Sequence, residues 1–361
     1  MKVLITAPSL NENENVSGIS TVVRQIIEHG RSEFTHFLAG KRDGEKSGIS
    51  WIASQALLPI RFLSAIRKDD PDIVHINTAL TSRAVWRDAV LTAAAAFAGK
   101  PVVIAIHGGR YLLSDFDSRI LAGIAKGMVH RARVVLVLSE KEKDEIERRW
   151  KDIDVRILPN AVPFFDIVET ERNNRVPVLI FLGRLHESKG LNEIVKACRS
   201  LRQSGFEFRF ECYGDGPLKE IFLLEMREIL GGRFHYGGVI GSSEKWRRLA
   251  EADIFLLPSL YGEGLPMALL EAMAAGCVVL ASEMASVASV IDDGSNGYTV
   301  EPGNTEQLIG RLKMVIDGRR EWADVQNSAR ATVREKFAVY DHIEKLESIY
   351  AEVAGSIKNG N

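Results

Sequence analysis

Two glutamates and two cations stand out by type and spacing. Glu263 and Glu271 are separated by seven residues that begin Gly264-Leu265-Pro266. A carboxylate accepts two hydrogen bonds side by side, so it suits the vicinal hydroxyls of a sugar or a ribose. Gly264 lets the backbone approach a ligand with no Cβ in the way. Pro266 suits the first turn of a helix over 267–275, whose N-terminal amides would face the loop and any hydroxyl or anion there. The plainer reading is an acid beside a helix N-terminus and a solvated glutamate within the helix. Upstream, Gly183-Arg184-Leu185-His186-Glu187-Ser188-Lys189-Gly190 combines a guanidinium fork and an ammonium between two glycines. Such a loop can hold a diphosphate and neutralise it as a leaving group without a metal. Alone, it also reads as two solvated surface cations.

Three further loops carry weaker signals. Tyr213-Gly214-Asp215-Gly216-Pro217 clears space beside a strand end. His107-Gly108-Gly109 places an imidazole where a strand stops, although such a histidine is more often structural. Gly18 sits in a polar loop before Ser20-Thr21, which suit the cap of the helix that follows. Other chemistries lack their residues. Gly262-Glu263-Gly264 runs on as Leu265-Pro266-Met267, and Gly99-Lys100 is followed by Pro101. There is accordingly no dinucleotide fingerprint and no P-loop, and no Gly-x-Ser-x-Gly elbow occurs. The Asp-x-Asp triplets at 115–117 and 152–154 are of the frequency chance allows.

These loops need strands to precede them. Short apolar runs at 3–6, 34–38, 73–76, 102–106 and 134–138 alternate with helical patterns such as 21–29 and 82–98. The rhythm repeats with runs at 178–182, 206–212, 254–257 and 278–281 and helices over 191–202 and 242–251. Continuous Val/Ile/Leu runs between helices predict parallel sheets covered on both faces. In such α/β, doubly wound folds, ligands bind at the carboxyl ends of the strands. Prolines 159 and 163 and the polar stretch 166–177 mark a boundary. It separates an acceptor-side domain, 1–163, from a donor domain, 164–339, with a final helix over 340–361 rejoining the first. The 361 residues suit two domains. The 46 Lys+Arg against 48 Asp+Glu exclude a basic nucleic-acid coat. The charge is uneven, however. Residues 1–160 hold 23 basic and 19 acidic side chains, and the remainder hold 23 and 29. The three scattered cysteines form no CxxC and no metal cluster, which suits a reducing compartment. No run approaches a membrane span, and residues 1–10 read as a first strand, not a signal-peptide core.

Together the motifs resemble glycosyltransferase family four, retaining enzymes of the GT-B fold, in which two Rossmann-like domains face each other across a cleft. The likeness rests on Glu263 and Glu271 with the Gly-x-Pro between them, on the Gly-Arg-x4-Lys-Gly loop at 183–190, on Asn160-Ala161-Val162 in place of an Asn-Gly-Val linker, and on Asp293-Gly294-Ser295-Asn296-Gly297. It implies a nucleotide-sugar donor, expected to be a UDP-sugar, and no metal or other cofactor. It implies that Arg184 and Lys189 hold the diphosphate, that Glu263 with the backbone of Gly264, Leu265 and Pro266 holds the donor sugar, and that Glu271 binds the ribose. Val239 would place its backbone near the base, Gly214 would line the donor site, Gly18 would pack against diphosphate or acceptor, and His107 would lie near the reacting carbon. The sequence departs from the family at Gly18, followed by Ile19 and not a second glycine, at the glycines after His107, and at Ala161.

The basic first half is where the resemblance puts the acceptor. Residues 118–139 contain no acid but have Arg119, Lys126, Arg131 and Arg133; residues 59–68 mix Arg61, Arg67 and Lys68 with apolar side chains. These are ordinary solvated helices or a surface for anionic lipid. The expectation is a glycan or lipid-linked acceptor of envelope or exopolysaccharide synthesis, met in the cytoplasm at the inner membrane face. Competing readings are an epimerase or hydrolase of the donor, and a non-catalytic nucleotide-sugar-binding subunit.

Overall fold

The computed structural model describes residues 1–12, 15, 17–40, 57–163, 172, 174–284 and 286–358. Most of the polar stretch 166–177 and the last three residues of the final helix expected over 340–361 lie outside them. The chain forms two compact units, Met1–Asn160 with Val339–Asn361, and Ala161–Ala338. Pro159 and Pro163 therefore fall on opposite sides of the division.

In the first unit six strands are all parallel: β1 (Lys2–Ala7), β2 (Glu33–Leu38), β3 (Ile73–Thr78), β4 (Val102–Ile106), β5 (Val134–Val137) and β6 (Val155–Ile157). Their order is β2-β1-β3-β4-β5-β6. The connection from β1 to β2 runs one way across the sheet and every later connection runs the other. Right-handed crossovers then put α1 (Gly18–His29) on one face and α2 (Leu58–Asp69), α3 (Ser82–Phe97), α4 (Arg119–Val129) and α5 (Glu140–Arg149) on the other. Strand alternation follows this division. Val74 and Ile76 join Phe62, Ile66, Val85, Leu121 and Met128 in the core under α2–α4. His75 and Asn77, one residue out of step, face Val22 and Ile26 of α1.

The cap of α1 differs from the expectation. Ser17, not Ser20 or Thr21, is the N-cap: its hydroxyl accepts the Ser20 N–H at 3.2 Å. Asn15 Oδ1 accepts from Ser17 N and Ser20 Oγ. The helix starts three residues early because Asn15 and Ser17 together satisfy its first turn, leaving Ser20 inside it.

The final helix, α12 (Val339–Lys358), covers the α1 face. The Glu347 carboxylate accepts the Arg31 and Ser32 N–H groups at 2.9 Å, Tyr350 pairs with His75, and Glu352 pairs with Arg156. His342 Nδ1 donates to the Pro159 carbonyl at 2.8 Å. His75, His107 and His342 line one small cavity with Asn77 and Asn160. Burial drives all three imidazoles to the neutral form. His75 is lowered to about 3, with repulsion from His107 and His342 adding to the effect. His107 and His342 are each lowered to about 4.

The second unit is also wholly parallel: β7 (Val178–Leu182), β8 (Arg209–Tyr213), β9 (Phe234–Gly238), β10 (Ile254–Leu257), β11 (Val278–Ser282) and β12 (Tyr298–Val300), ordered β12-β11-β10-β7-β8-β9. Around it lie α6 (Leu191–Gln203), α7 (Lys219–Leu230), α8 (Ser242–Glu251), α9 (Met267–Ala274), α10 (Thr305–Asp317) and α11 (Trp322–Lys336). Chain direction across the sheet reverses between β7 and β10, which makes a topological switch point there. Two polar groups, buried Asp253 and half-buried Arg172, brace the amino-terminal ends of these strands. Asp253 accepts the Val178 N–H at 2.8 Å. The Arg172 guanidinium donates to the carbonyls of Leu249, Ala250, Ala275 and Gly276, where α8 and α9 end. A cation on the last carbonyls of two helices also complements their dipoles.

The three neutral histidines set the acid stability of the first unit. Unfolded imidazoles titrate near 6.5, and the folded ones resist protonation down to about 4. Their contribution is complete above about pH 6.5 and is lost as pH falls toward 4. Denaturant midpoints should therefore drop between about pH 7 and pH 5, before most carboxylates titrate, and His342→Gln should flatten that drop. A midpoint that does not change over this interval would refute the assignment.

Candidate active site

Two backbone contacts bring the strand-end loops together. Gly190 has φ +69°, and a Cβ there would lie 1.9 Å from the Pro258 carbonyl oxygen, so the turn after β7 rests directly on the turn after β10. Gly214 has φ +131°, and its Cβ would lie 1.9 Å from the Gly183 carbonyl oxygen. The loops after β7, β8 and β10 are thus packed backbone to backbone. Leu260 N donates to Ser188 O at 2.7 Å, and Leu185 N to Asp215 O at 2.9 Å. His186 fixes the short turn that carries Lys189, accepting the Ser188 N–H on Nδ1 at 3.1 Å.

This packing joins two of the expected residues across the switch point. Lys189, from the β7 loop, forms an ion pair with Glu263, from the β10 loop. Ser259 Oγ donates to the same carboxylate oxygen at 2.8 Å. Glu263 stays half-buried with a path to solvent. Glu271, one turn and a residue into α9, is only 2% exposed and pairs with Lys245 of α8. Gly264 and Leu265 are buried against the start of α9. Pro266 occupies the N-cap position and not the helix's first turn, and no side chain caps the helix. Its N-terminal amides thus face the Glu263 loop, as anion or hydroxyl recognition needs. Arg184 is exposed two residues beyond β7, and Val239 is 44% exposed just past β9.

Gly18 and His107 belong to the first unit. Gly18 is the exposed first residue of α1. His107 follows β4 and its ring is locked. Nε2 donates to Asn77 Oδ1 at 2.7 Å, and Asn77 Nδ2 donates to the Thr6 carbonyl at 3.0 Å. The carbonyl fixes the Asn77 amide, and the amide oxygen fixes the imidazole tautomer. The glycines after His107 serve packing: at Gly109, φ is +112° and a Cβ would meet the Leu80 backbone at 2.3 Å.

Sequence reading missed Lys245, Ser259 and Asn77. Asn77 was detectable in principle, as one of three polar residues, with His75 and Thr78, in a wholly buried strand. Lys245 was not, because a lysine in Ser242–Glu251 looks like any solvated helix cation. Two motifs are structural. Asn296 Nδ2 donates to Val290 O and Thr332 Oγ1, and Asp293 accepts the Thr299 N–H, so the 293–297 turn holds β12 in place. In the Asp-x-Asp triplets, Asp117 engages Arg110 and Tyr111, and Asp154 engages Arg156.

The comparisons place this geometry among known proteins. The profile for Glycosyltransferase Family 4 matches residues 17–164 and that for Glycosyl transferases group 1 matches residues 165–332. The chain belongs to glycosyltransferase family four. Its fold is GT-B, with a six-stranded parallel sheet in each half. This family-four chain is 32% identical over 182 residues to the amylovoran biosynthesis glycosyltransferase AmsK of Erwinia amylovora, a match covering 49% of the chain and 45% of AmsK. The chain therefore spans under half the length of that curated relative. It is 22% identical to the alpha-D-kanosaminyltransferase of Streptomyces kanamyceticus over 84% of the chain and 83% of that enzyme. Among solved structures, Anabaena HepE in complex with UDP-glucose superposes with a TM-score of 0.77 at 16% identity, covering 98% of this chain and all of that one.

The backbone contacts yield a test of the site's architecture. Gly190→Ala and Gly214→Ala each place a side chain on a carbonyl in a left-handed conformation, and each should destabilise the protein by more than about 2 kcal/mol. Gly123→Ala, in α4 with open space around it, should instead be neutral or stabilising by up to about 1 kcal/mol. Thermal melts of the three variants check this ordering.

Proposed function

We propose that the chain is a retaining transferase that moves a sugar from a UDP-sugar to a hydroxyl of a glycan or lipid-linked acceptor, at the cytoplasmic face of a membrane and without a metal. The observation that carries this reading is the Lys189–Glu263 ion pair at the switch point. The donor presents both an anion and a hydroxylated ring, and the pair presents one partner for each. On binding, the diphosphate takes over Lys189, with the Arg184 fork beside it, and a Glu263 oxygen is released to the donor sugar's hydroxyls. Gly264, Leu265 and Pro266 line the sugar with backbone. Glu271, held by Lys245, receives the ribose hydroxyls. Gly214 keeps the β8 loop clear of the donor, and Val239 lies near the base.

The reaction needs little covalent help from the protein. The bond from the anomeric carbon to the diphosphate oxygen breaks as Lys189 and Arg184 neutralise the departing charge. The acceptor oxygen bonds to the same face of that carbon, and its proton passes to the departing phosphate oxygen. Neutral His107, its tautomer set by Asn77, and Gly18 are the first unit's residues proposed to act in transfer. The UDP-glucose bound by HepE and the glycosyltransferase names of the relatives support the donor class.

Lys189→Ala and Glu263→Ala should each lower turnover by about a hundred-fold or more while thermal unfolding stays cooperative. The anomeric proton coupling in the product should match that of the donor. Normal transfer by either variant, or an inverted product, would overturn the mechanism. Sugar release or isomerisation without acceptor would point instead to a hydrolase or an epimerase.

A further inference from the structure

The α2–α4 layer has an outer side that the transfer chemistry leaves unused. Along α3, Trp86, Val90, Ala93 and Phe97 recur at steps of four, three and four residues, and all are exposed. That spacing draws one apolar stripe down a helix, the pattern of a face that meets something. Trp86 is 54% exposed and Phe97 83%. Helix α3 packs between α2 and α4, which add Ile60 at 65% and Ile120 at 70%. Crossover helices of a parallel sheet run alongside one another, so Ile60, Trp86 and Ile120, all in or next to the first turn of their helices, share one end of the layer. It is the carboxyl end of the strands, where His107 follows β4.

The charge on this side is mainly positive. Exposed positions of the three helices carry Arg61, Arg67, Lys68, Arg83, Arg119 and Lys126. Their two carboxylates do not offset these: Asp69 is half-buried, and Asp88 is fully buried against Arg87. Arg61, Arg83 and Arg119 stand in first turns that hold no acid. A cation there opposes the helix dipole, so local stability does not explain it. A second copy of this chain fits poorly, because a two-fold contact would set the same six cations against themselves. A surface that is both apolar and anionic fits well.

We propose that the outer face of α2–α4 docks on an anionic lipid bilayer, with Trp86, Phe97, Ile60 and Ile120 entering the headgroup–acyl boundary and the six cations meeting lipid phosphates. The surface extends the lipid-linked acceptor of the proposed function, because it sets the strand ends that carry His107 beside the membrane.

Vesicle flotation tests the surface separately from catalysis. Vesicles of phosphatidylcholine with roughly one-third phosphatidylglycerol should retain the protein, and pure phosphatidylcholine should not. Added salt should weaken the binding. Arg119→Ala with Lys126→Ala should weaken it by roughly twenty-five-fold, at about five-fold per cation. Trp86→Ser with Phe97→Ser should weaken it by about ten-fold or more and abolish any vesicle-induced blue shift of tryptophan emission. Thermal stabilisation by UDP should be unchanged in both double variants, so a failed donor site and a failed docking surface give different results. Wild-type protein that ignores anionic vesicles, or double variants that bind as wild type does, would overturn the proposal. A dimer dispersed by Trp86→Ser with Phe97→Ser while vesicle binding persists would overturn it in favour of a second copy.

Discussion

Backbone that approaches closer than a side chain permits is the condition on which the candidate site of the second unit depends. The Pro258 carbonyl sits where a Cβ on Gly190 would be, and the Gly183 carbonyl where a Cβ on Gly214 would be. With those contacts made, three strand-end loops become one rigid surface, and the ammonium of Lys189 reaches the carboxylate of Glu263 from another strand's loop. Parallel topology places both loops at the same edge, and the reversal of strand order between β7 and β10 opens the crevice there. Neither a longer loop nor a larger residue would hold the two charges in register.

The same physics explains which elements the sequence exposed. Interior strands such as β4, β7 and β10 are covered on both faces and read as continuous apolar runs. β6, β9 and β12, which the apolar runs did not reveal, are all edge strands. Two of them have three residues, and β9 ends in Gly237-Gly238, so each offers too little buried surface to write a pattern. The cap of α1 was placed three residues late because Asn15 and Ser17 act through a loop conformation that composition does not reveal. In the candidate site, Lys189 and Glu263, which the fold brings together, were picked out by their types and fixed spacing. Ser259 and Lys245 were not, since their roles arise only when α8 and the β10 loop are folded against their partners.

The first unit uses the two sides of its helical layers differently. Under α1 and α12 the sheet presents His75, Asn77 and His107, so the chain's last helix is held by specific hydrogen bonds from Glu347, Tyr350 and His342 as well as by apolar contact. Polar pairing fixes a unique register where apolar packing alone would tolerate sliding. Under α2–α4 the core is mainly apolar, with Asp88 and Thr92 buried beside it, and the exposed side of the layer carries most of its charge. The division of charge between the chain's halves therefore has a local origin, since many of the first half's cations lie on one layer of helices.

The pairing of Glu271 with Lys245 in the second unit carries a stability cost. The carboxylate is almost wholly buried, and moving two charges out of water is often not repaid by their attraction. An apolar pair of similar volume would pack α8 against α9 at least as well. A buried carboxylate that already has its cation, however, needs no further reorganisation to receive two hydroxyl groups. The Arg172 guanidinium donates to the carbonyls of Ala250 and Ala275 and so ties together the ends of the helices that carry this pair. The region thus holds a costly charge in place, a cost that the proposed recognition of ribose hydroxyls would explain.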